Sequence, residues 1–164
     1  MYINLHHFQW QKYDNLYVFL HHKHLEMDTE SLLAAFNARN KNTLMETLDI
    51  EYVAIGDDFL TAKMPVSPKV HQPYGQLHGG ATAALAETVG SAASNFFIDN
   101  KNQFINGIQL SINHIKSKRE GTVFATAKNI HKGKSTHLWE VTIVDEQDNL
   151  ISVAKMTNIV LARK

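Results

Sequence analysis

Glu87 stands alone as a charge in a run of small residues, "HGGATAALAETVGSAAS", and that setting restricts the chemistry it can do. Between Gly79 and Ser94, 13 of 16 residues are Gly, Ala, Ser or Thr; only Leu85, Glu87 and Val89 depart. At helical spacing, Ala83, Ala84, Gly90, Ser91 and Ser94 share the side of Glu87, so no long neighbour crowds the carboxylate. Exposed helices carry several Lys, Glu and Arg, whereas this one has a single charge between Gly79 and Phe97. Partial burial is therefore expected. Burial raises a carboxyl pKa, and perturbed carboxylates are common in active sites. A solvated helical glutamate is the competing reading.

The start of the same run offers a second chemical element. Gly79 and Gly80 fall at or before the helix start, where unpaired N–H groups and the helix dipole favour negative charge. Such a place can hold the oxyanion that develops on a carbonyl. Glycine also lets a substrate approach the backbone closely. His78 and Gln72 flank the position and can donate hydrogen bonds. Gly79 and Glu87 are eight residues apart, about 12 Å along a helix. That is far for one substrate atom, and within one protomer the two groups meet only if the loop folds back. A dimer, with one subunit supplying the donors and the other the carboxylate, resolves the difficulty.

These residues need elements to position them. Asp28 can cap a helix through "ESLLAAFNARN", with Leu32, Leu33 and Phe36 on one face. Thr43 and Glu46 fit a capping box for a short helix. "DIEYVAI" and "FLTAKMPV" flank a Gly/Asp turn and read as a hairpin. "SPKVHQPYGQLHGG" reads as a loop before the small-residue helix. Four strand-like runs follow. In "NGIQLSINHIKSK" the alternation puts Ile108, Leu110, Ile112 and His114 on one face. Strands grouped apart from helices indicate an α+β fold. Gly90 lowers helix propensity by about 1 kcal/mol relative to Ala, so close packing is expected around it.

The whole chain bounds the function classes. Its 164 residues fit one domain with a sizeable core. Lys+Arg and Asp+Glu balance at 16 each, so global charge argues for neither nucleic acid nor an anionic membrane as partner. The chain has no cysteine, which excludes disulfides, Cys-based zinc sites and thiol catalysis. No secretory signal and no apolar run long enough to span a membrane is legible, so a cytoplasmic protein is expected. Residues 1–26 differ from the rest and hold five of the ten histidines (His6, His7, His21, His22, His24). They read as an extension preceding a domain at 27–164; a metal cluster built on His21, His22 and His24 is the sharper alternative.

"QPYGQLHGGATAALAETVGSAAS" resembles the signature of hotdog-fold acyl-CoA thioesterases that use a glutamate on the central helix. The likeness runs across roughly residues 43–162. It is nearest to the branch containing the 1,4-dihydroxy-2-naphthoyl-CoA thioesterase of menaquinone synthesis and its relative that clears mischarged aryl carrier proteins. The resemblance implies a long helix wrapped by a curved antiparallel sheet, with sites at the interface of a homodimer or a dimer of dimers. By position, Glu87 matches the catalytic carboxylate, as nucleophile or as general base. Gly79 matches the oxyanion-hole amide, His78 and Gln72 the groups that orient the thioester, and Ser91 a helper one turn on. His114 matches a residue at the pocket and pantetheine channel. The substrate is then an acyl-CoA or acyl-carrier-protein thioester, and no metal or redox cofactor is required.

Coenzyme A brings phosphates, and six basic residues lie between His114 and His137: Lys116, Lys118, Arg119, Lys128, Lys132 and Lys134. With His114, the residues Lys116, Lys134, Ser135 and Thr136 are the candidate substrate contacts, although "KGKSTHLW" departs from the residue order close relatives show after Gly133. A solvated sheet edge is the alternative reading of the lysines. Two other functions remain in view: a hydratase or dehydratase acting on acyl thioesters, which "LHGGATAALAE" fits poorly, and a non-catalytic acyl-CoA-binding module.

Overall fold

Asp28 begins the first helix, α1 (Thr29–Ala38): its carboxylate accepts from the Ser31 N–H at 2.8 Å and from the Ser31 hydroxyl at 2.9 Å. The structure is a computed structural model and describes residues 28–163; the N-terminal extension and its histidines lie outside them. Phe36 meets Tyr52 edge-on and stacks on Phe96 at 4.2 Å, which ties α1 to the body of the fold. The capping box expected for α2 (Leu44–Thr47) forms differently. Glu46 accepts from the Asn42 N–H at 2.7 Å, and the Thr43 hydroxyl donates to the Asn40 carbonyl. Asn42 adopts a left-handed conformation (φ 60°), which presents its N–H to Glu46 one residue earlier than the box requires.

The expected hairpin forms as β1 (Glu51–Ile55) and β2 (Phe59–Val66). The loop after it adds a 3₁₀ turn (Pro68–Val70) and a short ribbon, β3 (His71–Gln72) with β4 (Gln76–Leu77). The long helix that follows is α3 (Gly79–Asn95), and the four later strands are β5 (Gln103–His114), β6 (Gly121–Lys132), β7 (Thr136–Asp145) and β8 (Leu150–Ala162). Six strands form one sheet in the order β1-β2-β6-β7-β8-β5, every neighbouring pair antiparallel. Strict alternation turns Leu60, Ala62, Met64 and Val66 of β2 inward, and Trp139, Val141 and Ile143 of β7 with them.

Helix α3 lies against the inward face of that sheet, touching β2, β5, β6, β7 and β8. Its Leu85, Ala86, Val89 and Ala93 are buried. Each large apolar side chain so buried contributes about 1.5–3 kcal/mol. Gly90 shows the close packing anticipated from the sequence: a Cβ there would stand 2.9 Å from Met156 Cγ. A polar seam accompanies the apolar one. The Trp139 indole and the Asn158 amide both donate to Ser94 Oγ at 2.7 Å, and Asn158 also donates to the Gly90 carbonyl at 3.0 Å. A long helix embraced by a curved antiparallel sheet is the hotdog arrangement.

The alternation expected in β5 holds only in part. Leu110 and Ile112 pack on the core, but Ile108 is 58% exposed. The register against β8 slips between Gly107 and Gln109, so Ile108 occupies a bulge that resets the two-residue period. β5 is also a terminal strand of the sheet.

Candidate active site

His78 closes the N-terminus of α3. Its Nδ1 accepts from the Gly80 N–H at 2.8 Å, so that nitrogen carries no proton and the neutral ring holds its proton on Nε2. The imidazole is thus an acceptor toward the helix and a donor on its other edge. Among the described residues nothing accepts the N–H of Gly79. It remains a free donor at the positive end of the helix dipole. Gln72 is oriented in a similar way: its Oε1 accepts from the Tyr74 N–H at 2.8 Å, leaving its NH2 as the outward edge.

His114 arrives from β5. Its Nε2 would lie 2.8 Å from a Cβ on Gly79, and its Nδ1 is 3.1 Å from Ser152 Oγ. Gly79 therefore has a packing reason to lack a side chain as well as a chemical one. Gln72, Gly79 and His114 face a cavity of about 250 Å³, lined also by Thr82, Lys116 and Ser152 among others, whereas His78 is exposed and stands outside its lining. Its lining includes donors and lysines but no carboxylate. Pockets that enclose a drug-sized ligand run to about 300–1,000 Å³, so this cavity has the size of part of a site.

Glu87 does not line that cavity. Its carboxylate lies against Gly107 of β5, where an added Cβ would run into Glu87 Oε1 and stand 2.6 Å from Met156 Cε. Burial pushes the Glu87 pKa up from its ordinary value. Ser91, one turn on, places its hydroxyl 3.5 Å from Asn158 Oδ1, at the limit of a hydrogen bond. Gly107→Ala is accordingly expected to displace the carboxylate and lower turnover about tenfold or more. Both atoms in the way are side-chain ends, so the fold should survive. Steady-state kinetics with a melting curve check this: wild-type kcat in a folded Gly107→Ala protein contradicts it.

The sheet register sorts the remaining candidates. Gly107 pairs with Asn158, and Asn158 with His137, so one row across β5, β8 and β7 marks the level of Glu87. Thr136 pairs with Ile159, and the Ser135 carbonyl accepts from the Val160 N–H, so Lys134, Ser135 and Thr136 lie at that same end. His114 pairs with Ser152, six residues back along β8, about 20 Å away. Within one chain the candidates therefore fall into two groups. Gln72, His78, Gly79, His114 and Lys116 cluster at one end; Glu87, Ser91 and the Lys134–Thr136 hairpin lie toward the other. Sequence reasoning missed Thr82, Ser152 and Gly107. A β5–β8 register would have placed Ser152 opposite His114, and a glycine within a strand pattern signals a close approach.

Comparison with known proteins gives the family to which the fold belongs. Residues 74–152 match the family described as the thioesterase superfamily. A proofreading thioesterase of Cronobacter turicensis is 40% identical over 129 residues, covering 79% of this chain and 93% of the relative. The 1,4-dihydroxy-2-naphthoyl-CoA hydrolase of Escherichia coli is 37% identical over 129 residues, covering 79% and 94%. Among solved structures, a mutant thioesterase of Pseudomonas aeruginosa superposes with a TM-score of 0.79 at 37% identity, covering 80% of this chain and 94% of that one.

Proposed function

The chain belongs to the thioesterase superfamily, and from that premise we propose that it hydrolyses an acyl- or aroyl-CoA thioester at sites divided between two subunits. One observation carries the reading: a single helix holds a free N–H at Gly79, in a cavity without a carboxylate, and a partly buried carboxylate at Glu87 outside it. The thioester carbonyl takes the Gly79 N–H, with the Gln72 amide and the His78 Nε2–H as further donors. Glu87 of the other subunit either attacks the carbonyl carbon or draws a proton from an attacking water. The C–S bond breaks as the tetrahedral oxyanion collapses; in the first route water then hydrolyses the acyl–Glu87 anhydride to the free acid and supplies the thiolate's proton, and in the second the proton taken by Glu87 passes to the departing thiolate. Ser91 holds the water or the carboxylate. Hydrolysis by this route uses no metal and no redox cofactor.

β5 supports pairing with a second copy. It is a twelve-residue terminal strand with exposed Ile108, which makes it a template for antiparallel pairing with a second copy. β5 carries Gly107, the marker of the Glu87 half, and His114, the marker of the Gly79 half. Pairing two such strands head to tail sets one chain's Glu87 half against the other's Gly79 half. His114 then borders the pantetheine channel. Lys116 of one chain and Lys134, Ser135 and Thr136 of the other receive the phosphates of coenzyme A as point charges and hydrogen-bond donors. A homodimer satisfies this geometry, and a dimer of dimers repeats it.

No helix among the described residues is long and apolar enough to cross a membrane. A thioester substrate that diffuses in water fits a cytoplasmic setting. Two acyl donors are to be tried first: 1,4-dihydroxy-2-naphthoyl-CoA, named in one relative, which would place the chain in menaquinone synthesis, and an aryl carrier protein thioester, which the branch that the sequence resembles implies. Thiol release from a panel of aromatic and aliphatic acyl-CoAs, with Glu87→Ala as control, tests the proposal. Hydrolysis by the wild type and none by the variant is the expected result. Tight binding without thiol release would indicate an acyl-CoA-binding module, and a change in double-bond absorbance without free thiol would indicate a hydratase.

A further inference from the structure

The connection from β5 to β6 does more than reverse the chain, because it grips the loop that carries Gln72, His78 and Gly79. Arg119 donates through Nη1 to the carbonyls of Tyr74 (3.1 Å) and Gly75 (3.2 Å). Gly75 takes a left-handed conformation (φ 69°), and a Cβ there would stand 3.4 Å from that same nitrogen. The Arg119 carbonyl accepts from His71 Nε2 at 2.8 Å, and the Lys118 carbonyl accepts from the Leu77 N–H at 2.8 Å. Residues 118 and 119 thus hold both arms of the β3–β4 ribbon and the turn between them.

The other end of this strap is anchored too. Lys118 Nζ pairs with Glu146 at 2.6 Å and Asp145 at 3.3 Å, in the turn between β7 and β8. Asp145 also accepts the N–H groups of Gln147 at 3.0 Å and Asn149 at 2.9 Å. Burial opposes ionisation of Asp145, but these hydrogen bonds outweigh it and hold the carboxyl down at about 2. The anchor therefore stays charged at neutral pH. At the working end, the Tyr74 N–H fixes the Gln72 amide while the Tyr74 carbonyl is fixed by Arg119.

We propose that Arg119 is a positioning residue for thioester hydrolysis: its guanidinium locks the Tyr74–Gly75 turn and so keeps the Gln72 amide and the Gly79 N–H aimed at the thioester carbonyl. The inference rests on the hydrolysis reading. Arg119 acts through the loop and touches no reacting atom. A 1 Å error in the aim of such groups can cost about a hundredfold in rate, so a modest loosening of the turn has a large effect.

The test compares wild type, Arg119→Ala and Arg119→Lys on benzoyl-CoA and on benzoyl-pantetheine, with amide hydrogen exchange in parallel. Arg119→Ala is expected to lower kcat about tenfold or more on both substrates, with KM changed less than about threefold. Exchange should quicken at residues 72–80 while the sheet and the melting temperature are unchanged. Added guanidinium should restore part of the lost kcat, and Arg119→Lys should fall between the two. Unchanged kcat overturns the proposal. So does a rise in KM confined to benzoyl-CoA, which would make Arg119 a phosphate ligand, and so does faster exchange throughout the sheet. If the wild type cleaves neither these substrates nor any of the acyl-CoA panel, the hydrolysis reading fails by itself; selective exchange at residues 72–80 then still supports the clamp, and its absence overturns it.

Discussion

Glu87→Gln is expected to lower kcat by about two to four orders of magnitude while the protein stays folded. The substitution keeps the shape of the side chain against Gly107 and removes only the ability to hold a negative charge. The same substitution should raise thermal stability at neutral pH. Burial raises the folded-state pKa of Glu87 above its unfolded value. The folded chain then binds that proton more tightly than the unfolded one. Stability is greatest below the unfolded pKa and declines as pH rises through the folded pKa. The amide of the variant cannot ionise and escapes that decline. The pH dependence of activity follows from the same shift. The ionised form is the reactive one, so the acid limb of kcat/KM should lie above the 4.5 of an ordinary glutamate. Melting curves and a pH–rate profile check both. Near-wild-type turnover in Glu87→Gln would remove Glu87 from the mechanism.

Gly79→Pro is expected to lower kcat by about two to three orders of magnitude, the loss seen when one oxyanion donor is removed. Proline is tolerated at the first position of a helix, so α3 should still form. The free N–H of Gly79 disappears, and with it a donor lining the cavity. Crowding is a separate effect, and Gly79→Ala measures it. Alanine keeps the N–H but sets a Cβ 2.8 Å from His114 Nε2. If Gly79→Ala is impaired, shortening His114 to alanine in the same chain should recover part of its activity and should recover none in Gly79→Pro. Equal rescue of both would mean that His114 crowding, and not the lost donor, limits the reaction.

Much of this was legible in the sequence for physical reasons. A long run of small residues interrupted by one carboxylate has few uses other than a closely packed helix, and Gly90 on Met156 shows the packing. The distance from Gly79 to Glu87 is helix arithmetic, and the cavity that excludes Glu87 agrees with it. What escaped was set by tertiary register. The Ile108 bulge breaks a two-residue period that composition alone sustains. The left-handed Asn42 redirects the Glu46 cap. Gly107 signals a close approach without naming what approaches. His78 is an unusual helix cap, and only its position beside the Gly80 N–H makes it one. The two groups of candidate contacts look contiguous between His114 and Thr136, yet β8 holds them about 20 Å apart.

The central claim is that each site joins Gly79 of one chain to Glu87 of another. Co-expressing Glu87→Ala and Gly79→Pro chains and assaying thiol release tests it most directly. Each variant alone should be nearly inactive. Random pairing makes half of the dimers mixed, and each mixed dimer holds one site with both wild-type groups, so about a quarter of wild-type activity should return. Activity no greater than the sum of the two inactive parents would contradict the account and place the complete site within a single chain.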